Sequence, residues 1–526
     1  MTGATQDLQR ALMVSAARGM SRTEIEERAL RAANGLRELG VKPNGIVALL
    51  LRNDFVFFEA LRAVTALGAS PVAVNWHLTG NEVRYVLEDC GAKVLVAHAD
   101  LLSLLSDAIP DGFKVLGVDT PPEVIEAYNL DPSRGRLDTA VESWGRWLEG
   151  FAPLTDICRD FNETMIYTSG TTGKPKGVRR FPQSEENAQR LLALRDRIYG
   201  IEPGIRALIC GPLYHAAPNA FAMRAAVAAE KLIMMPRFDA EAFLGSVAHN
   251  RITTVFMVPT MFVRLLKLPQ ETRARYDVSS LRHITTAAAH CPPDVKKAIT
   301  QWFGPIVHEF YGSTESSYVS YCSPDDAAAR PGTVGRLVDG VRVRFLDEQG
   351  HDVPTGEPGE IYTRLSFAPD FTYANRPEDR ASLEIGGLIG TGDVGYLDAG
   401  GYLFLCDRRR DMVISGGVNI YPAEIEAELV SLEGVRDCAV FGVPDQEYGE
   451  KLIAVVEPDK GAKLSADGIV AQLKSRLAGF KVPRIIEFRS ELPRDDAGKI
   501  YKHQVRGSYR QEFARLNSAT SANLAD

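Results

Sequence analysis

The chain has 526 residues, a formal net charge of -8, a pI of about 5.7 and an ordinary globular composition, 45% hydrophobic. That length exceeds one hydrophobic core and implies about three to four domain-sized units, while the acidic balance argues against nucleic acid as a partner. No run of about 18 apolar residues is available to cross a membrane, and seven scattered cysteines form no C-x-x-C pair, so neither a disulfide framework nor a zinc site is implied.

Ser21-Arg-Thr-Glu24 reads as a capping box, after which Ile25, Ala29, Ala32, Leu36 and Leu39 recur at helical spacing until Gly40. Ile46 to Leu51 is a continuous apolar run of strand length. Phe57 to Leu67 reads as helix, Pro71 to Val74 as strand, Glu82 to Asp89 as helix and Lys93 to Ala97 as strand. This alternation predicts a parallel sheet covered on both faces, an α/β architecture.

Glu163 to Val178, ETMIYTSGTTGKPKGV, is the most informative stretch, because an apolar run empties into Gly, Ser, Thr and Lys. Gly170, Gly173 and Gly177 let backbone N–H groups turn toward an anion. Ser169, Thr171 and Thr172 add hydroxyl donors, and Lys174 and Lys176 add positive charge. The spacing is not that of a Walker loop, since Pro175 stands where G-x-x-x-x-G-K-[ST] needs a hydroxyl residue.

A second α/β pattern follows, with Ala207 to Cys210, Lys231 to Met235, Thr254 to Val258 and His283 to Thr286 as buried strands. From about 331 to 405 short alternating runs spaced by Gly and Pro predict a small barrel-like β subdomain. Gly390 to Gly395 satisfies G-x-G-x-x-G, but a hairpin-like sequence follows it rather than a helix, which rejects a dinucleotide fold. Beyond Asp407, a helix over Ala423 to Leu432 and strands over Cys438 to Val443 and Leu452 to Glu457 predict a smaller α+β unit, and the polar tail beyond Arg510 reads as disordered.

The ordered set of TSGTTGKPKG, Gly211 to His215, His308 to Glu315, Gly356 to Tyr362, Thr391 to Asp393, Asp407 to Glu426 and Pro493 to Lys499 resembles the adenylate-forming superfamily. That superfamily contains acyl-CoA synthetases, aryl-CoA ligases, luciferases and peptide-synthetase adenylation domains. The resemblance implies an N-terminal AMP-binding domain over 1–409 and a mobile C-terminal domain over 410–526, hinged near Arg410. It implies the cofactors ATP, Mg²⁺ and coenzyme A, and an acid that is activated as its adenylate and then passed to the thiol.

Carried onto this chain, the resemblance assigns Thr168, Ser169, Gly170, Thr171, Thr172, Gly173, Lys174 and Lys176 to the phosphates. Tyr311 and Gly312 belong at adenine, Thr314 at the α-phosphate and Glu315 on Mg²⁺. Asp393 belongs at the ribose and Arg408 at ribose or phosphate, with Lys499 bridging carboxylate and α-phosphate. Gly416 and Gly417 belong along the coenzyme A channel, and His215, Ala287 and Ala288 beside the acyl group. Further walls are expected from Ala217 to Met223, Val258 to Phe262, Ala287 to His290 and Tyr318, none of which offers a cation for a second carboxylate. A hydrophobic monocarboxylic acid, fatty, aryl or alicyclic, is the expected substrate.

Two departures stand out: Thr286 to Ala289 occupies a turn that carries glycine in many relatives, and Phe181-Pro182 closes the phosphate loop where a histidine is common. The rival readings are an acyl-AMP ligase serving a carrier protein and a non-catalytic nucleotide-binding regulator. The expected compartment is the cytoplasm, and the expected partner is a small carboxylic acid, with a homodimer left open.

Overall fold

The computed structural model describes residues 12–158, 163–168, 175–289, 291–409, 411–415, 418–445, 449–495, 500–502, 504–507 and 509. They form four sheets with helices packed against them, the mixed α/β architecture expected, with three sheets before residue 409 and one five-stranded sheet after it.

The first sheet has eight strands in the order Phe371–Tyr373, Lys176–Arg180, Met165–Thr168, Ser70–Ala73, Ile46–Leu50, Val94–His98, Lys114–Val118 and Glu142–Ser143. It is parallel from Met165–Thr168 onward, and its first two strands add antiparallel. Helix Arg22–Glu38 starts at the expected capping box, in which the Ser21 hydroxyl accepts from the Glu24 amide and the Glu24 carboxylate accepts from the Ser21 amide. Its buried face, Ile25, Ala29, Ala32, Ala33 and Leu36, lies against helix Phe55–Ala66. That second helix is apolar almost all round because it is buried almost all round. Its one carboxylate, Glu59, is held by Arg28 at 2.6 Å and by the Trp144 indole at 2.9 Å, which satisfies a charge that burial alone makes unfavourable.

The second sheet has nine strands in the order Arg336–Leu337, Ser317–Cys322, Val307–Ser313, His283–Thr286, Thr254–Met257, Arg206–Ile209, Lys231–Met234, Met13–Ser15 and Arg18–Met20. The edge hairpin Met13–Ser15 and Arg18–Met20 was not foreseen; it pairs parallel with Lys231–Met234 across more than 200 residues of chain. Asn53 joins the two sheets. Its side-chain amide donates to the carbonyls of Gly211 at 3.0 Å and Met235 at 3.1 Å, and its oxygen accepts from the Leu213 amide at 3.0 Å.

The third sheet is antiparallel and contains Val341–Leu346, Gly359–Leu365, Leu388–Leu397, Glu384–Ile385 and Leu403–Arg408. The G-x-G-x-x-G stretch lies within strand Leu388–Leu397, which returns as Leu403–Arg408, so the hairpin reading holds. The fourth sheet contains Val418–Ile420, Val413–Ser415, Gly449–Pro458, Val435–Asp445 and Ile485–Phe488. Helices Pro422–Ser431 and Ala466–Lys474 cover it through Ile425, Leu429, Ile469 and Leu473. Asp407 reaches across to accept the Ala423 amide at 2.8 Å, so a carboxylate from the third sheet caps the first of these helices.

His283 and His308 stand on adjacent strands with rings stacked 4.0 Å apart and 8° from parallel. The Tyr321 hydroxyl lies 2.6 Å from His308 Nδ1, and His283 Nε2 lies 2.9 Å from the Ile198 carbonyl oxygen. Burial first, and His283 second, push the His308 pKa down to about 3, and burial lowers that of His283. The neutral forms therefore belong to the fold, and acid favours the unfolded chain, which takes up protons below its ordinary value of 6.5. We predict that urea stability of the wild type declines below that pH, by about 1 kcal/mol near pH 5 from His308 alone after allowing for its partial exposure. His308→Gln is expected to flatten that acid limb in unfolding curves recorded as a function of pH.

Candidate active site

Open α/β sheets bind ligands at the carboxyl ends of their strands, and here the end of strand Val307–Ser313 meets the third sheet through Tyr311 and Asp393. Strand Met165–Thr168 delivers Thr168 there. The residues that follow, Ser169, Gly170, Thr171, Thr172, Gly173 and Lys174, lie outside the described residues, as do Arg410, Gly416, Gly417, Lys499 and the side chain of Arg408.

Strand Val307–Ser313 brings in Tyr311 and Gly312, then turns back antiparallel as Ser317–Cys322 with a bulge between Tyr311 and Gly312. Only glycine fits at 312, because a Cβ there would stand 2.0 Å from the Ser317 carbonyl oxygen. The turn is closed by the Ser313 amide on Ser316 Oγ at 3.1 Å and the Ser316 amide on Ser313 Oγ at 2.9 Å, and it presents Thr314 and Glu315.

Glu315 is held asymmetrically. Its Oε1 accepts from Thr168 Oγ1 at 3.0 Å and from the Tyr373 hydroxyl at 3.1 Å, whereas none of the described residues donates to Oε2. Burial and the Glu315 charge keep the Tyr373 phenol protonated well above its usual range, so it acts as a donor. The uncommitted carboxylate oxygen suits a hard cation such as Mg²⁺. No cluster of three or more His, Cys, Asp or Glu occurs among the described residues, so an ion here would draw its remaining ligands from nucleotide and water.

Arg180 supports that turn from below. Its guanidinium donates to the carbonyls of Glu315 at 3.4 Å, Pro369 at 2.9 Å and Thr314, and its Nε lies 3.9 Å from Glu163. Burial opposes the Glu163 carboxylate, but Arg195 at 2.6 Å and Arg180 together hold its pKa below the usual range. Lys176 faces Thr168 across the hairpin that frames the phosphate-loop sequence. Expected on the phosphates, it is 7% exposed, with its ammonium 2.8 Å from Asp379 and 5.1 Å from the centre of the Tyr373 ring.

Asp393 sits opposite Arg408 in the third sheet and accepts the Tyr311 hydroxyl at 2.7 Å. His215 stands at the start of helix Ala216–Ala228, its Nε2 3.3 Å from Asp495 of the C-terminal segment but poorly aligned for a hydrogen bond. Arg494 fastens that segment to the fourth sheet through Asp437 at 2.6 Å and Glu457. The His215 ring lies 4.3 Å from Tyr214, which lies 4.4 Å from Trp76, forming an aromatic ladder. Ala287 is buried and Ala288 is exposed, whereas Met261, Phe262 and Tyr318, expected among the pocket walls, are packed into the core.

The sequence did not single out Asn53, Arg180, Tyr373 or Asp379. Arg180 ends a basic strand, Lys176–Arg180, and the hydrogen-bond partners of Asn53 and Tyr373 and the Lys176 partner of Asp379 lie from 58 to more than 200 residues away.

Fold and site together define an adenylate-forming enzyme. The chain belongs to the AMP-binding enzyme family, which it matches over residues 2–367, with the family's C-terminal domain matched over 424–499. It is 34% identical to a feruloyl-CoA synthase of an Amycolatopsis species over 92% of each chain. It is 32% identical to an indoleacetate–CoA ligase of Aromatoleum aromaticum over 93% of each. Among solved structures, the anthranilate CoA ligase AuaEII in complex with anthranoyl-AMP superposes with a TM-score of 0.83 at 25% identity, over 97% of this chain and 96% of that one. The protein is an acyl-CoA synthetase, an AMP-forming acid:CoA ligase that uses ATP and coenzyme A.

Ala288 has a φ of 73°, the left-handed region. An alanine there costs about 1–2 kcal/mol, and a β-branched residue costs more. Ala288→Gly is expected to leave the melting temperature unchanged or raise it slightly, since relief of strain outweighs the added freedom of the unfolded chain. Ala288→Val is expected to destabilise by more than about 2 kcal/mol in the same thermal melts.

Proposed function

We propose that the protein converts a hydrophobic monocarboxylic acid to its coenzyme A thioester through an acyl-adenylate, with the domains 1–409 and 410–526 meeting at Arg410. The observation that carries this reading is the pair of carboxylates Glu315 and Asp393, each held by a tyrosine hydroxyl, with Glu315 also bonded by Thr168 where the phosphate-loop sequence begins.

A carboxylate oxygen of the acid attacks the α-phosphorus of ATP, and the bond to the departing pyrophosphate breaks. The thiol sulfur then attacks the acyl carbon, the C–O bond to AMP breaks, and the thiol proton leaves to solvent. The loop from Thr168 to Lys174 cradles the outer phosphates with amides and hydroxyls. Thr314 positions the α-phosphate, Tyr311 lies along adenine and Asp393 accepts from the ribose hydroxyls. Lys499 bridges the attacking carboxylate and the α-phosphate as charge develops. Glu315 would hold Mg²⁺, which when bound supplies neutralising charge to the phosphates. Gly416 and Gly417 give close backbone passage to the pantetheine arm, and His215, Ala287 and Ala288 border the acid.

The aromatic ladder ending at His215 supports an aryl acid within the hydrophobic class. The relatives named for ferulic, indoleacetic and anthranilic acids support the same choice.

Incubation with ATP, Mg²⁺ and coenzyme A over a panel of benzoates, cinnamates, fatty acids and steroid side-chain acids, read by mass spectrometry, is expected to give thioester and AMP from an aryl acid. Acyl-AMP without thioester would assign the protein to a carrier-dependent pathway, and no product from any acid would mark a regulator. Lys499→Ala is expected to lower adenylate formation by more than about a hundredfold while ATP binding changes by less than about threefold, because the lysine acts in the transition state. Pyrophosphate exchange and calorimetry check the two halves of that statement.

A further inference from the structure

Segment 370–380 leaves the third sheet and returns to the first. Strand Phe371–Tyr373 pairs antiparallel with Lys176–Arg180, placing Phe371 opposite Arg180 and Tyr373 opposite Val178. The Ala374 amide extends that ladder by donating to the Gly177 carbonyl at 2.9 Å. Tyr373 is thereby wedged between Lys176 and Glu315: the ammonium lies 5.1 Å from its ring centre, and its hydroxyl donates to Glu315 Oε1. Asp379, on the same segment, takes the Lys176 ammonium at 2.8 Å and has Arg376 at 3.8 Å on the same oxygen.

The two donors to Glu315 come from different parts of the chain and converge on one oxygen. A carboxylate with one oxygen doubly bonded to hydroxyls cannot turn about its terminal torsion without losing both bonds. Because both donors are neutral, the full negative charge remains for a cation at the second oxygen. An ammonium in either place would orient the group equally well but would cancel that charge; among the described residues, the ammonium of Lys176 is instead held by Asp379.

We propose that Tyr373 is a positioning residue for metal-nucleotide binding: with Thr168 it fixes Glu315 so that Oε2 faces the cation that accompanies ATP, while its ring and Asp379 keep the Lys176 ammonium off that carboxylate. This rests on the reading of Glu315 as the carboxylate that meets the metal. Tyr373 acts on the metal through Glu315, by its hydroxyl directly and by its ring through the placement of Lys176.

The test is Mn²⁺ binding to the full-length protein with ATP and without acid, read by electron paramagnetic resonance, for wild type, Tyr373→Phe, Thr168→Val and Glu315→Gln. Tyr373→Phe removes one hydroxyl and keeps the ring, so its thermal melt should match wild type. It is expected to weaken Mn²⁺ binding about tenfold, the worth of one hydrogen bond to a charged group. In turnover assays its KM for the acid stays unchanged and its kcat recovers at saturating metal, a split that a loosened fold would not produce. Thr168→Val is expected to give a like loss. Wild-type metal affinity in Tyr373→Phe, with affinity lost in Glu315→Gln, would overturn the proposal and leave the reading of Glu315 intact. Unchanged affinity in Glu315→Gln would overturn both.

Discussion

A largely buried guanidinium cannot be left without partners, and the site is organised by how that demand is met at Arg180. Its N–H groups reach the carbonyls of Thr314, Glu315 and Pro369, and Glu163 supplies the nearby countercharge. These groups come from the turn that carries Glu315, from the segment that carries Tyr373 and from the strand leading to the phosphate loop. Removing one partner of such a largely buried arrangement strands the others, at a cost of about 1–3 kcal/mol. Geometry at three separate stretches of chain is thus tied to one charge.

A second regularity follows from this scaffold. Each of the two carboxylates at the site is oriented by a phenol: Glu315 by Tyr373 and Asp393 by Tyr311. A phenol donates one directed hydrogen bond without bringing a formal charge, and its ring packs in an apolar wall. Among the described residues, Lys176 is bound by Asp379, Arg195 by Glu163, and Arg180 by the carbonyls beneath the turn. The site therefore keeps negative charge poised at defined places, which suits a reaction in which a cation and a polyphosphate arrive together.

Local signals in the sequence were realised where local physics decides the outcome. The Ser21–Glu24 capping box, the buried parallel strands and the hairpin at Gly390 each depend on neighbours within a few residues or on a simple apolar period. Strand ends were less legible. Cys438 to Val443 grew to Val435–Asp445 because its partner Gly449–Pro458 continues the ladder through polar residues. Phe371–Tyr373 is three residues long between Pro369 and Pro377, too short to show a period, and only the exposed edge of a strand nearly 200 residues earlier makes it one. Motif residues such as Glu315 and Asp393 were named from the order of the motifs. Tyr373 and Asp379, which hold those residues in place, were not, because their partners are defined by tertiary folding alone.

The three hydrogen bonds of Asn53 bear on how the site is assembled in time. They span 158, 160 and 182 residues of chain, and all of them end on the segments that flank His215 and the strand beside it. Closing loops of that length is entropically slow compared with forming the local helices and hairpins. Segments from both large sheets must be in place before Asn53 can find its partners, so the region around His215 is among the later parts to be finished. A nascent chain that has made only the strands from Ile46–Leu50 to Lys114–Val118 already carries Asn53 but has nothing yet for it to hold.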